Sequence, residues 1–379
     1  MAIRVGCLGG GQLGRMLALA GYPLGLRFTF LDPAADAAAG QVGELLVGPY
    51  TDPGRLRELG RAANLVTFEF ESVPDTAAQA LAATTTVFPP PLALAVAQDR
   101  LLEKRLFSEL GIPSSAYTRV DAPEDLGPAA DWLRRPARLK SRRLGYDGHG
   151  QAEVAAPELL EDSWRSLGEV PCILEEEVQF ERELSVIGAR SRSGEVAFYP
   201  LTENHHQLSV LRLSLAPAPD SAPGLQAQAE EICLAIMEKL DYCGVLAVEL
   251  FQLGPQLLAN EIAPRVHNSG HWTQDGALTS QFENHLRAGL GWPLGKTTAR
   301  GFAAMVNILS ELPEPGDVLA VPGAHLHLYG KAPRPLRKLG HVNVSGPDPH
   351  HVSATVEQLD GVLGASLPPP RFGPSYWPG

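Results

Sequence analysis

Between Leu257 and Trp272 the chain reads LLANEIAPRVHNSGHW, which ends an apolar run on Asn260 and Glu261 and follows it with Arg265, His267, Asn268 and His271. A second acid, Glu249, interrupts the apolar VLAVELF, and only QLGPQ separates the two runs. Strands joined so closely form a hairpin, which brings both carboxylates and the amide to one face. Carboxylate and amide oxygens suit Mg²⁺ bridging nucleotide phosphates. The bland reading is two solvent-facing glutamates, but an unpaired acid inside an apolar run is costly. His267 and His271 have the HxxxH spacing of a helical zinc site, yet Pro264 and Gly270 argue against a helix there, and no third His or Cys ligand is evident. Arg265, His267, Asn268 and Ser269 read better as fixed donors for an anionic reactant, and His271 as a satisfied structural group.

Three further stretches carry chemistry. LKSRRLGYDGHGQ sets Lys140 ahead of Gly145, Gly148 and Gly150. Glycines let backbone amides approach phosphate oxygens and a lysine can sit on them as a point charge, so the stretch reads as a mobile phosphate-covering loop, against a plain solvated hairpin. It is not a Walker loop, because the lysine precedes the glycines and no GK[ST] follows. LGGGQLG matches GxGxxG at Gly9, Gly11 and Gly14, with Asp32 closing the next strand. That pattern fits a dinucleotide enzyme, another anion at a helix start, or a tight turn that binds nothing. VTFEFESVP sets Glu69 and Glu71 two apart, hence on one strand face, where they would hold an amine-bearing group or edge the sheet. Lys331, Arg337 and Lys338 form a basic patch that reads equally as a phosphate site or as solvated surface, and His205 and His206 are ambiguous.

The elements that must position these residues alternate at first. IRVGCL, QLGRMLALA and RFTFLD open a βαβ pattern, and LVTFEFE is a further strand, so residues 1–98 read as a small doubly wound domain. TTTVFPPP is expected to interrupt regular structure, and ALAVAQDRLLEKRLFSELG to form one amphipathic helix ending at Gly111. In residues 99–295 strands dominate: ARLK, CILEEEV, ELSVIGAR, EVAFYPL, VLAVELF and PQLLANEI, with helices at AQAEEICLAIMEKL and SQFENHLRAGL. Residues 296–379 carry the short strands AHLHLYG and HVNVSG around KAPRPLRK, then a proline-rich tail expected to be loosely ordered.

With 379 residues and 44% hydrophobic content the chain can bury several cores. Its 31 Lys+Arg against 43 Asp+Glu give a net charge of −12, which argues against a nucleic-acid partner. The four cysteines form no CxxC pair, so neither a disulfide framework nor a thiolate zinc site is expected, and a reducing compartment fits. No signal peptide and no membrane span is evident, so the reading is a cytoplasmic protein with no membrane partner.

A lysine-bearing glycine loop, the acidic strand ILEEEV and the Glu and Asn-Glu pair behind a small α/β domain resemble the ATP-grasp ligases. GGGQLGRM, TFEFESVP, QDRLLEKRLF, LGYDGHGQ, YPLTENHHQ and NEIAPRVHNSGHWTQDGA resemble, in family order over nearly the whole chain, the N5-carboxyaminoimidazole ribonucleotide synthetase family. The resemblance implies an α/β and α+β chain: an ATP-grasp fold with an N-terminal Rossmann-like pre-ATP-grasp domain and a small C-terminal β-rich domain. ATP would lie between two antiparallel sheets, with Arg100 and Lys140 on its phosphates and Gly145, Tyr146, Asp147, Gly148, His149, Gly150 and Gln151 folded over them. Glu175, Glu176, Glu177 and Val178 would read adenine largely through backbone groups, Glu183 would take the ribose hydroxyls, and His206 would lie near the nucleotide. Glu249 and Glu261, assisted by Asn260, would hold Mg²⁺ or Mn²⁺.

The implied reaction phosphorylates bicarbonate with ATP and passes the carboxyl group to the amine of 5-aminoimidazole ribonucleotide. Lys140, Arg265, His267 and Asn268 would serve that chemistry. The ribonucleotide would touch Gln12, Glu71, Tyr146, Asp147 and Arg265, with its phosphate near Lys331 and Arg337. The family also implies a homodimer and a transient contact with the downstream mutase. Against the lid pattern GGYDGRGQ this chain has Leu144 and His149, and ahead of Glu183 it has Arg182, expected to point to solvent. Three other readings remain: the formate-dependent glycinamide ribonucleotide transformylase, which shares the ATP site; a nicotinamide oxidoreductase, which leaves Glu249 and Glu261 unexplained; and a non-catalytic nucleotide-binding protein.

Overall fold

The apolar runs near the N-terminus form parallel strands. β1 (Arg4–Leu8), β2 (Arg27–Asp32), β3 (Glu44–Val47), β4 (Leu65–Phe68) and β5 (Thr86–Val87) lie in the order β3-β2-β1-β4-β5, in a computed structural model that describes residues 2–134, 136–145, 150–364 and 367. Buried on both faces, β1 and β4 are nearly continuous hydrophobic runs, as parallel strands between helices must be. The helix Gln12–Gly21 crosses from β1 to β2, completing the βαβ unit.

Two expectations fail at the end of this domain. TTTVFPPP holds the short strand β5, and Pro91 opens a helix, Pro91–Ala97. A proline fits there because the first helical N–H has no partner to lose. The single amphipathic helix is two, because Asp99 leaves the helical conformation and caps a new one, Arg100–Glu109, by accepting from the Leu101 N–H at 3.0 Å.

A four-stranded antiparallel sheet follows, ordered β6-β9-β7-β8: β6 (Tyr117–Val120), β7 (Ala137–Ser141), β8 (Gln151–Val154) and β9 (Cys172–Glu176). Leu139, Val154 and Leu174 pack with Leu160 and Trp164 of the helix Leu160–Ser166 into a separate core. The larger sheet has nine strands: β10 (Arg182–Arg190), β11 (Val196–Phe198), β12 (Thr202–Gln207), β13 (Val210–Ala216), β14 (Gly244–Leu253), β15 (Gln256–Ala263), β16 (Phe302–Leu309), β17 (Ala324–Leu328) and β18 (Lys338–Gly346). Eight run β15-β14-β10-β12-β13-β16-β18-β17, and β11 pairs with β10. The C-terminal strands therefore extend the central sheet, since β16 pairs directly with β13. The helix Leu225–Lys239 covers β10 and β14 through Ile232, Cys233, Ile236 and Met237. Among the described residues no helix is long and apolar enough to cross a membrane.

Candidate active site

Strands β14 and β15 set Glu249 directly opposite Glu261. One extra residue on β15, Asn260, has no partner because Leu250 pairs with Ala259. Such a bulge re-aims a side chain. Asn260 and Glu261 are accordingly adjacent half-buried residues between the buried Ala259 and Ile262, where strict alternation would hide one of them. Glu261 meets Arg100 at 3.1 Å, and Glu249 meets His267 Nε2 at 3.3 Å. Burial and the facing Glu261 push the Glu249 carboxyl up. Burial works the same way on Glu261, but Arg100 and Lys140 outweigh it and hold that carboxyl low. Two facing carboxylates, one of them short of positive charge, are an oxygen donor set that fits a hard divalent cation keeping phosphate or water ligands. Among the described residues no group of three or more His, Cys, Asp or Glu side chains is placed to hold a metal without such outside ligands.

The two sheets meet at Lys104. Its ammonium is 2% exposed, lies 2.7 Å from Glu175 Oε1, and donates to Ser115 Oγ at 3.0 Å and to the Asn260 carbonyl at 3.3 Å. Lys140, on β7, binds the other oxygen of Glu175. Burial would raise Glu175, but Lys140 and Lys104 override it and keep the carboxylate far below its usual range. The Glu175 side chain is thus structural, and its strand lies between β6 and β7, with the Glu176 and Glu177 N–H groups donating to the Ala116 and Pro136 carbonyls at 3.0 Å. Glu176 and Glu177 follow it, Glu177 meeting Arg138 at 3.3 Å, and Val178 lies just past β9. Glu183 on β10 pairs in register with Asn204 of β12, and its side chain is hydrogen-bonded to His206 two residues further along that strand. Burial lowers His206, and Glu183 more than reverses it, so the ring's pKa lies above its ordinary value.

The lid stretch joins β7 to β8, with Lys140 opposite Gln151. Gly145 and Gly150 belong to the described residues; Tyr146, Asp147, Gly148 and His149 lie outside them. At the lid's root Arg142 binds both oxygens of Asp99, at 2.9 and 2.6 Å, and its carbonyl accepts the Arg100 N–H at 3.0 Å. The strand carrying Lys140 and the helix carrying Arg100 are thereby tied together.

Arg265 crosses to the first domain. Its guanidinium meets Glu71 at 2.8 Å, and its Nε is buried without a partner among the described residues. Asn268 and Asn307 exchange side-chain hydrogen bonds at 3.1 and 2.8 Å. Burial, then Arg265 and Lys338, hold the pKa of His267 well below its ordinary value. His271 is buried and its Nδ1 meets Gln281 Nε2 at 3.2 Å, as a structural histidine should. Lys331 donates to Gln12 at 3.1 Å, joining the C-terminal segment to the first domain, and Arg337 donates to the Ala332 carbonyl at 2.9 Å.

Along the full chain, 47% of 363 aligned residues are identical to the N5-carboxyaminoimidazole ribonucleotide synthase of Pseudomonas aeruginosa, covering 96% of this chain and 100% of that one. The chain belongs to the N5-carboxyaminoimidazole ribonucleotide synthase family. It is an ATP-grasp ligase, and the family models match in order: ribonucleotide synthetase preATP-grasp domain at 1–98, ATP-grasp domain at 105–282 and phosphoribosylaminoimidazole carboxylase C-terminal domain at 303–355. The N5-carboxyaminoimidazole ribonucleotide synthetase of Thermus thermophilus is 53% identical with a TM-score of 0.92, over 96% of this chain and 99% of that one. The Aspergillus clavatus synthase in complex with ADP and 5-aminoimidazole ribonucleotide is 30% identical with a TM-score of 0.88, over 96% and 99%.

Seen as a synthase of this family, several residues stand differently from their reading in the sequence. β4 ends at Phe68, so Glu69 and Glu71 do not share a strand face. Glu69 turns into the glycine turn, accepting from the Gly11 N–H and, at 2.6 Å, from the Gly14 N–H, while Glu71 reaches Arg265. A Cβ on Gly11 would lie 2.6 Å from Glu69 Oε1, which is why glycine is needed there. Asp32 accepts from the Gly10 N–H at 2.8 Å and from the Tyr50 hydroxyl at 3.0 Å. The chain's own acids thus occupy the donors that a dinucleotide pyrophosphate would use. Arg182 does not point to solvent: it binds Glu203 at 2.8 Å and Gln252 at 2.7 Å. A buried Glu203 needs that cation. Sequence reasoning missed Lys104 and Glu103, although both sit in the buried stripe of their helix beside Leu101, Leu106 and Phe107, where charged residues are out of pattern.

Proposed function

We propose that the chain carboxylates 5-aminoimidazole ribonucleotide with bicarbonate, converting ATP to ADP and phosphate by way of carboxyphosphate. The observation that supports this reading is the row Arg100, Glu261, Glu249, His267: a cation on one carboxylate, a second carboxylate opposite it on the paired strand, and an imidazole on that second carboxylate. Relatives named as complexes with ATP, and with ADP plus 5-aminoimidazole ribonucleotide, support the choice of reactants.

Bicarbonate is a weak nucleophile, so positioning and charge neutralisation must supply most of the phosphoryl-transfer rate. Lys140 and Arg100 would lie on the ATP phosphates, with the lid Gly145 to Gln151 over them. The backbone of Glu175 to Val178 would hold adenine, and Glu183, with His206, the ribose. Glu249 and Glu261, assisted by Asn260, would hold Mg²⁺ or Mn²⁺, which when bound neutralises charge on the transferring phosphoryl group. A bicarbonate oxygen takes the γ-phosphoryl group as ADP leaves. The Arg265 fork, held by Glu71, suits the carboxyl or phosphate oxygens of the product, and His267 and Asn268 orient it. The exocyclic amine then bonds to the carboxyl carbon, phosphate leaves, and the amine gives up a proton to form the carbamate. Gln12, Glu71, Tyr146, Asp147 and Arg265 would contact the ribonucleotide, and Lys331 and Arg337 its phosphate. Lid closure would keep water from the labile intermediate.

By the same family likeness we place the reaction in cytoplasmic purine synthesis, with the chain a homodimer that hands its carbamate to a mutase. The test is phosphate release from Mg·ATP with bicarbonate, with and without 5-aminoimidazole ribonucleotide, and with glycinamide ribonucleotide plus formate as control. Release that requires the aminoimidazole nucleotide is expected. Release only with the control pair would move the chain to the transformylase reading.

A further inference from the structure

Ser269 and Ser185 are fully buried beneath the site. The Ser269 hydroxyl lies 2.9 Å from His267 Nδ1, and the Ser269 backbone N–H donates to the same nitrogen at 3.4 Å. A backbone N–H can only donate, so Nδ1 is the acceptor and the neutral ring carries its hydrogen on Nε2. That nitrogen lies 3.3 Å from Glu249 Oε1, an acceptor. Behind Ser269 the hydrogen bonds run inward. Ser185 Oγ is 2.7 Å from Ser269 Oγ, Asn204 Nδ2 donates to Ser185 Oγ at 3.0 Å, and Ser214 donates to Asn204 Oδ1 at 2.8 Å. With Ser185 accepting from Asn204, its own hydrogen is available to Ser269, which lets the Ser269 hydroxyl donate to His267 Nδ1. Gln281, also fully buried, grips the backbone of His267, accepting its N–H at 2.9 Å and donating to its carbonyl at 2.7 Å. Gly270 leaves room for that grip, since a Cβ there would lie 2.6 Å from Gln281 Oε1.

We propose that Ser269 is a positioning residue: backed by Ser185 and Asn204, it makes His267 present an Nε2–H to the anionic reactant, so that the ring acts as a hydrogen-bond donor and not as a proton acceptor. The identity of the reactant rests on the carboxylase reading; the ring's orientation does not. A merely structural network would satisfy buried polar groups without separating kcat from KM or selecting a tautomer.

The test uses the full-length chain labelled with ¹⁵N-histidine. Long-range ¹H–¹⁵N correlation reads the tautomer, and His267→Gln identifies the His267 signals. The wild type should show the Nε2–H pattern. Ser269→Ala removes the hydroxyl at 2.9 Å and leaves only the long backbone N–H at 3.4 Å on Nδ1, so a minor Nδ1–H set should emerge beside the Nε2–H pattern, and kcat for ribonucleotide-dependent ADP formation should fall about 10- to 100-fold with little change in the KM for ATP. Ser185→Ala, which does not touch the ring, should shift both readouts in the same direction by less, and it carries the test if Ser269→Ala does not fold. An Nδ1–H ring in the wild type, or wild-type kcat in the folded variants, overturns the proposal. Should the wild type form no ADP with the ribonucleotide, the carboxylase reading falls alone, and the tautomer spectra still decide what Ser269 does to the ring.

Discussion

The Arg265 guanidinium meets the Glu71 carboxylate at 2.8 Å, joining the loop that follows β15 to the loop that follows β4. A residue four positions after Glu261 is thus held by the first domain, so the placement of that domain and of the Arg265 guanidinium are linked. Arg265→Lys keeps the charge but loses the planar fork. We expect kcat to fall by about 100-fold, as for loss of one preorganised donor, with the KM for ATP little changed. A lysine variant with wild-type turnover would take Arg265 out of the reaction.

Glu261 is the partner of Glu249 and of Arg100. Glu261→Gln preserves shape and removes one negative charge from the pair. Turnover is expected to drop by roughly 100-fold or more, with a steeper requirement for Mg²⁺. Wild-type rates at limiting Mg²⁺ would remove Glu261 from the metal site.

Lys331 reaches Gln12 across the domain junction. Lys331→Ala should raise the KM for 5-aminoimidazole ribonucleotide by about tenfold or more, the worth of one charge-assisted hydrogen bond, while the KM for ATP stays near its wild-type value. Equal effects on both substrates would point to a structural role.

Glu103 is 2% exposed and accepts the Ile262 N–H at 2.6 Å. Burial, then the charge of Glu261, pushes its carboxyl up to about 8, from an ordinary 4.5. A raised acid stabilises the fold only while it stays protonated. Its contribution is complete below about pH 4.5 and is lost as pH rises through about 8. Glu103→Gln keeps the acceptor without the ionisation. The Tm of the variant should match the wild type near pH 5, exceed it increasingly as pH rises to about 8, and stay above it by a constant margin at higher pH. A Tm difference that does not change with pH would show that Glu103 is charged in the fold throughout.

What could be read from the sequence was what depends on neighbours along the chain. The β14–β15 hairpin is joined by a turn so short that Glu249 must come close to Asn260 and Glu261, although only the bulge sets Glu261 and not Asn260 opposite it, and the alternation of β1 to β4 with helices follows from apolar runs of the right period. The histidine loop was legible because Pro264 and Gly270 argue against an α-helix there, and only the short 3₁₀ turn Asn268–Gly270 forms between the two histidines. The tertiary structure alone decided which partner each charge finds. Glu69 closes on the glycine turn, Arg182 on Glu203, and Lys104 on Glu175, and Ser185 meets Ser269 across 84 positions of sequence. Local propensity carries no information about such pairs. Burying an ion or a hydroxyl is tolerable only when a partner waits in the same volume, and that volume exists only once the sheets have packed.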